Sequence, residues 1–153
     1  MLDITRERSF SRTYRVALDG SPVAEWSPRT WRSGGRIELA GETLELRSTD
    51  WGRTFEMLAG DEVRARARRS ARRWHVEGEG VTYELSRPSL MRGRREVLRG
   101  GRSLGEFRRA RMGSGLTADL TDVPPTLQVF MGLVVLTLWQ RRDTAAVAAA
   151  SSG

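Results

Sequence analysis

Arginines at alternate positions are the side chains in this sequence whose type and spacing best suit chemistry. The stretch VRARARRSARR, residues 63–73, is the densest of them. Because successive side chains of a strand point to opposite faces, Arg64, Arg66 and Arg68 are expected to share one face. The opposite face would carry the intervening residues Val63, Ala65 and Ala67. Guanidinium groups in such a row suit forked hydrogen bonds to phosphate, so the pattern predicts an anion-binding surface.

Further arginines cluster beside this row and later in the chain. The clusters are Arg69, Arg72 and Arg73; then Arg92, Arg94 and Arg95; then Arg108, Arg109 and Arg111. The candidate residues for binding an anionic ligand are Arg64, Arg66, Arg68, Arg69, Arg72, Arg73, Arg92, Arg94 and Arg95. Two alternatives to ligand binding stay open for these arginines. All 26 basic residues are arginine, as GC-rich coding alone would produce, and charged side chains also keep strand edges from pairing with a second chain.

Enzymatic and metal-binding patterns are missing from the sequence. There is one histidine, His75, and no cysteine, so common zinc sites and Cys–His or Ser–His–Asp arrangements lack parts. His75 is expected to point outward beside Arg73. The glutamates that alternate along the predicted strands are expected on solvent faces, paired with arginines across strands: Glu38, Glu45, Glu56, Glu77 and Glu84. We therefore expect no catalytic residues, no metal and no cofactor.

The middle of the chain predicts a meander of β-hairpins. Short alternating runs are separated by turn glycines about every twenty residues, at Gly20, Gly41, Gly60, Gly80 and Gly101. With a further strand from 111 to 120, the fold class is mainly β: a closed antiparallel barrel of about 10–12 strands. The two longest polar connections, 27–35 and 86–95, are where binding groups are expected.

The stretch TLQVFMGLVVLTLWQRR, residues 126–142, predicts a helix over about 124–141. Its apolar residues lie on every side, which is typical of a helix that spans a membrane or is wholly buried in protein. The run would be about 21–25 Å long at ~1.5 Å per residue, shorter than the roughly 30 Å hydrocarbon core of a bilayer. We therefore expect a hydrophobic helix buried inside the barrel, with Ala65 and Ala67 leaving it room.

The domain layout follows from these elements. Residues 1–143 are expected to form a single barrel domain, and 144–153 a disordered Ala/Ser tail. The N-terminal stretch MLDITRERSF has no apolar core of a secretory signal, so we expect a cytoplasmic protein, with peripheral membrane association.

A meander of strands followed by DVPPTLQVFMGLVVLTLW resembles the tubby C-terminal-like superfamily over roughly 13–142. That superfamily includes tubby proteins, phospholipid scramblases and LURP-one-related proteins, the last with an aspartate before a short apolar helix. The resemblance implies a closed barrel around the helix and, as in tubby proteins, a basic surface site for phosphoinositides. Scramblases carry a calcium segment near the helix, but Asp119 and Asp122 alone are too few ligands for calcium.

Three functions remain open from the sequence. The expected one is a non-enzymatic module that binds anionic phospholipid headgroups, or a membrane surface, through its arginines. The first alternative is a tail-anchored membrane protein with a cytoplasmic β domain. The second is a nucleic-acid-binding protein, for which Trp31 and Trp51 near loops are the candidate stacking residues.

Overall fold

The computed structural model describes residues 1–6, 12–33, 35–71, 73–86, 93–110 and 115–151. One sheet contains twelve antiparallel strands. The strands are β1 Leu2–Arg6, β2 Tyr14–Leu18, β3 Ser21–Trp26, β4 Arg36–Leu39, β5 Glu42–Thr49, β6 Thr54–Ala59, β7 Glu62–Ser70, β8 Arg73–Gly78, β9 Val81–Leu85, β10 Arg94–Arg99, β11 Arg102–Arg109 and β12 Leu116–Ala118. The helices are α1 Thr30–Ser33 and α2 Pro125–Ser151, with a 3₁₀ turn at Asp50–Gly52.

The five hairpins predicted from the turn glycines are all present. They are β2–β3, β4–β5, β6–β7, β8–β9 and β10–β11, each joined at a glycine with positive φ. Only glycine adopts that backbone conformation without steric cost, which is why the glycines mark the turns. The predicted mainly-β class is therefore confirmed.

The sheet closes almost completely into a barrel, and the first and last strands of the chain are paired within it. Its order is β3-β2-β1-β12-β11-β10-β9-β8-β7-β6-β5-β4, and the two edge strands, β3 and β4, lie side by side. Strand β1, which the sequence pattern does not predict, lies between β2 and β12 and joins the β2–β3 hairpin to the rest of the sheet. Leu2 and Ile4 are its fully buried side chains.

Helix α2 runs through the interior of the barrel, as predicted. Every residue from Val129 to Thr137 is buried. A Cβ built on Gly132 would lie 2.8 Å from Leu2 Cδ2 and 3.6 Å from Phe107 Cε1, so β1 and β11 pack on one side of the helix. Strand β7 also contacts the helix, where Ala65 and Ala67 are buried. The helix therefore forms the centre of the hydrophobic core of the barrel.

The helix is longer than predicted. It begins at Pro125 and continues to Ser151, so 144–151, expected to be disordered, are helical. Alanine loses no side-chain entropy in a helix, and an established helix extends through an alanine-rich segment at little cost. From Arg141 onward every described residue is exposed. No helix in the described part of the chain is both long and apolar enough to cross a bilayer.

The barrel has two different ends. The five hairpin turns lie at the end where α2 begins, which we call the glycine-turn end; there Gly78 packs against Leu127. At the opposite end, the helix-exit end, α2 leaves the barrel near Arg141, beside the Asp50–Gly52 turn. Helix α1 closes part of that end: Trp31 is buried and donates a hydrogen bond from Nε1 to Thr137 Oγ1 at 2.9 Å.

Candidate functional site

The predicted arginine row on β7 exists, but acidic neighbours pair with two of its three members. Arg66 lies 2.7 Å from Glu56 Oε2, and Arg64 lies 2.6 Å from Glu42 Oε1. Arg68 has no ion-pair partner among the described residues. Of the five glutamates expected to pair with arginines across strands, Glu56 and Glu84 do so, and the other three form no ion pair within the described ranges.

Glu56 is buried, although its alternation predicts a solvent face. It does lie on the outer surface, but the guanidinium groups of Arg47 and Arg66 cover it from the neighbouring strands. Arg47 Nε donates to Oε1 at 3.0 Å and Arg66 Nε donates to Oε2 at 2.8 Å. Burial raises the pKa of Glu56, but the hydrogen bonds and charges of the two arginines outweigh it, so the pKa lies below its usual value.

Val63 also differs from its prediction. The alternation places it on the buried face with Ala65 and Ala67, yet 37% of it is exposed. The register between β6 and β7 shifts at Met57/Leu58, so that Leu58 pairs with Val63 and Met57 pairs with Ala65. The extra residue in β7 reverses the alternation before Ala65 and turns Val63 outward.

Unpaired arginines gather instead toward the helix-exit end. A cleft of about 400 Å³ opens there on the outer wall. Its lining consists of Thr49, Asp50, Arg53, Thr54, Glu56, Arg66, Arg68 and Arg69. Within the described ranges, Arg53, Arg68 and Arg69 make no ion pair with any carboxylate. The cleft therefore combines three arginines that form no ion pair with two threonine hydroxyls and the carboxylates of Asp50 and Glu56.

The turn beside this cleft presents a tryptophan to solvent. Asp50, Trp51 and Gly52 all have positive φ, of 53°, 54° and 80°. Such a conformation costs a bulky residue about 1–3 kcal/mol and is tolerated only where the surroundings impose it. Trp51 is 101% exposed, so its conformation is not compensated by burial of its ring. The sequence predicts an aromatic residue near a loop at this position, and the fold makes that residue completely exposed.

Two arginine contacts hold this end of the barrel to the helix. Arg141 Nη1 donates to the carbonyl of Gly52 at 2.9 Å, and its guanidinium lies 5.0 Å from the centre of the Phe55 ring. On the other side of the helix, Arg109 pairs with Asp143 at 2.9 Å and stacks on Trp139 at 5.2 Å. The turn, the helix and β11 are thus connected where α2 emerges.

Arg95 lies inside the barrel, whereas the sequence predicts it in a surface cluster. In the antiparallel pairing of β10 with β11 it lies opposite Phe107. Its side chain faces the interior like that of Val97, and only 6% of the residue is exposed. Its Nε donates to the carbonyl of Ser86 at 3.0 Å. Burial, with the like charges of Arg142 and Arg69, lowers the pKa of Arg95 to about 10. The alternation shared with Val97 is the signal in the sequence that could have placed it inward.

The remaining predicted arginines separate into three groups. Arg73 is paired with Glu84 at 2.6 Å. Arg94 is exposed and has no ion pair in the described parts of the chain. Arg72 and Arg92 lie outside the described residues, as does Arg111 of the third cluster.

Arg53 and Arg142, which lie at the helix-exit end without an ion pair in the described chain, are not among the predicted site residues. Arg53 is isolated in the sequence, between Gly52 and a strand, and Arg142 is predicted only as part of the helix terminus. Neither belongs to a local cluster. Only the folding of β6, β7 and α2 to one end of the barrel brings them near Arg69 and Arg95.

Of the two loop tryptophans considered for base stacking, Trp31 is excluded. It is 3% exposed and packs edge-on against Phe55, with 4.7 Å between ring centres. His75 lies on the outer face, half-buried, in register with Arg68 and Glu84.

Comparisons of the chain with protein-family models, curated proteins and solved structures give no match. The resemblance to the tubby C-terminal-like superfamily therefore stays a prediction. The features that bear on function are those of the helix-exit end itself.

Proposed function

We propose that this protein is a non-enzymatic module that binds anionic membrane surfaces through the helix-exit end of its barrel. The observation that carries the proposal is Trp51, fully exposed on a strained turn beside arginines that have no carboxylate partners in the described chain. Tryptophan is favoured at membrane interfaces because its ring is apolar while its N–H remains hydrated. A ring held outward in this way would insert among lipid headgroups.

The charges at this end supply the attraction to the bilayer. Arg53, Arg69 and Arg142 are all exposed, and none forms an ion pair with a carboxylate of the described chain. Each basic side chain near an anionic surface contributes roughly 1 kcal/mol, and the contribution falls with ionic strength. Arg64, nearer the glycine-turn end, contributes less, because Glu42 already neutralises it.

A nucleic-acid surface is the competing proposal, and the aromatic residues favour the membrane. Single-stranded nucleic acid is usually bound by several aromatic rings on which successive bases stack. Trp51 stands alone: the remaining tryptophans, Trp26, Trp31, Trp74 and Trp139, are all buried. Trp51 is the one exposed aromatic ring within the described ranges, and a single ring beside a basic cluster suits insertion into an interface better than a stacking path.

The experiment is vesicle binding followed by tryptophan fluorescence. Phosphatidylcholine vesicles with and without phosphatidylserine are titrated with the full chain, and brominated lipid is used as a quencher. We expect binding only with phosphatidylserine, weakening with salt, and quenching that disappears in Trp51→Ala. Because the remaining tryptophans are buried, the quenching reports on Trp51 specifically.

A charge-matched pair of variants locates the surface. Arg53→Glu/Arg69→Glu removes cations from the helix-exit end, and we expect binding to weaken by about 2 kcal/mol, roughly thirty-fold. Arg99→Glu/Arg102→Glu makes the same change in net charge at the exposed β10–β11 turn, at the glycine-turn end, and is expected to retain most binding. Equal losses in both variants would mean that net charge alone drives binding. Preference for a single-stranded oligonucleotide over vesicles would favour the nucleic-acid function instead.

A further inference from the structure

Arg95 is a buried cation with unused donors. The residue is 6% exposed, and its one hydrogen bond in the described structure runs from Nε to the carbonyl of Ser86. The two Nη groups donate to nothing there. Among the described residues, only Trp26 Nε1 is both fully enclosed and without a hydrogen-bond partner. The Nη groups of Arg95 are therefore not fully enclosed, and the guanidinium keeps a path to solvent.

The neighbours of Arg95 increase its charge imbalance. Arg142 precedes Asp143, which pairs with Arg109 on the strand beside β10, and Arg69 lies near the end of β7 at the same mouth. Their like charges act on Arg95, and none of the described carboxylates forms an ion pair with any of the three arginines. A buried charge is normally retained only where a counter-charge and hydrogen-bond partners compensate for lost hydration. The chain places three cations at one mouth of its barrel, and no described carboxylate forms an ion pair with any of them, because Asp143 is paired with Arg109 instead.

We propose that Arg95, together with Arg69 and Arg142, forms a binding site for a phosphate monoester at the helix-exit mouth of the barrel. A dianion suits three guanidinium groups better than a carboxylate does, because it carries two charges and three terminal oxygens that each accept forked hydrogen bonds. The buried position of Arg95 excludes water from one side of the bound oxygens and strengthens those bonds. Arg69 and Arg142, both exposed, would complete the site from the rim.

The phosphate can belong to a soluble monoester or to a lipid headgroup, and only the second source rests on the proposed membrane function. Arg69 also lines the outer cleft beside Trp51, so a lipid phosphate seated in the mouth would lie at the membrane-facing end. The site would then distinguish phosphatidic acid, whose phosphate is a monoester, from phosphatidylserine, whose phosphate is a diester.

The first arm of the test uses soluble probes, inorganic phosphate and glycerol 3-phosphate, on the full chain. Binding is followed by calorimetry and by the NMR resonance of the Arg95 Nε–H group. We expect phosphate to shift that resonance and Arg95→Met to lose binding at least ten-fold. Arg99→Met, on the same strand at the opposite end, is expected to bind as the wild type does. Arg142→Gln, on the exposed part of α2, is expected to weaken binding several-fold without affecting the fold.

The second arm compares vesicles of phosphatidic acid and phosphatidylserine at equal surface charge. We expect the wild type to prefer phosphatidic acid, and Arg95→Met to lose this preference while still binding phosphatidylserine. Soluble phosphate binding without such a preference supports the site and assigns it a soluble ligand. Phosphate that leaves the Arg95 resonance unmoved, or binds Arg95→Met equally, overturns the site even if vesicle binding is intact.

Discussion

Arg141 on α2 donates a hydrogen bond of 2.9 Å to the carbonyl of Gly52, 89 positions earlier in the chain. The contact fastens the turn that carries Trp51 to the helix that fills the barrel. Because Gly52 and its two predecessors all have positive φ, the turn is a conformation that needs such support. The exposure of Trp51 is therefore linked directly to the packing of the interior.

The Arg141–Gly52 contact should contribute measurably to stability. Arg141→Met retains an apolar chain over Phe55 but removes the hydrogen bond, so we expect the free energy of unfolding to fall by about 1 kcal/mol. The adjacent substitution Arg142→Met removes the same charge but no hydrogen bond of the described structure, and no loss is expected. Urea denaturation measures both. A larger loss for Arg142→Met than for Arg141→Met would contradict the assigned contact.

Helix α2 should be indispensable as the interior of the barrel. It has eleven buried residues, all apolar except Gly132 and Thr137. Each buried apolar side chain contributes about 1.5–3 kcal/mol, so together they match or exceed the roughly 5–15 kcal/mol stability of a typical domain. We expect a chain ending at Val123 to be unfolded by circular dichroism. A chain ending at Asp143, which keeps the Arg109–Asp143 pair, should fold. A folded, soluble barrel without α2 would refute the buried-helix architecture.

The carboxylate of Glu56 should stabilise the outer wall in a pH-dependent way. Glu56→Gln leaves Arg47 and Arg66 without a charged acceptor, and we expect a loss of about 1–3 kcal/mol at neutral pH. The pKa of Glu56 is lower in the folded state than its usual 4.5, so its contribution is present above that pH and is lost as the pH falls through the folded value. The difference in unfolding free energy between wild type and variant should therefore shrink below pH 4.5. Glu38→Gln, at an exposed position, is the control and should change stability by less than about 0.5 kcal/mol.

Burying Arg95 should cost the protein stability. Replacing a buried charge that lacks a partner by an apolar side chain of similar length usually stabilises a protein, so Arg95→Met should raise the free energy of unfolding by about 1–3 kcal/mol in phosphate-free buffer. Burial lowers the pKa of Arg95 to about 10, so the wild-type penalty is complete at neutral pH. As the pH rises above 10, the folded state loses the proton before the unfolded state does, and the advantage of the variant should diminish. Destabilisation by Arg95→Met at neutral pH would mean that the guanidinium is compensated within the protein.

The class of fold could be predicted from local signals. Turn glycines fix where a meander reverses, because only they adopt positive φ cheaply, and alternation fixes which side of each strand is buried. An apolar run on every side of a helix requires burial on every side, and α2 obeys this. Strand β1 could not be predicted because, unlike the strands of the five hairpins, it is not joined to its neighbour by a turn glycine. It is a strand because β2 and β12 both pair with it.

The site was only partly predictable. Alternation correctly gave Arg64, Arg66 and Arg68 a common face, but the ion pairs that neutralise Arg64 and Arg66 depend on carboxylates of β5 and β6. Similarly, no local pattern links Trp51 to Arg141.

By itself, the sequence determined the hairpins, the mainly-β class and the buried helix, because backbone conformation and hydrophobic periodicity act between neighbouring residues. Tertiary structure alone decided which charges are compensated, since electrostatic energy depends on distance in space and on burial. It placed Glu56 beneath two arginines, and Arg95 inside the barrel with Arg69 and Arg142 nearby. For this protein the arginine composition is a property of the sequence, and the choice of which arginines remain available to a ligand is a property of the fold.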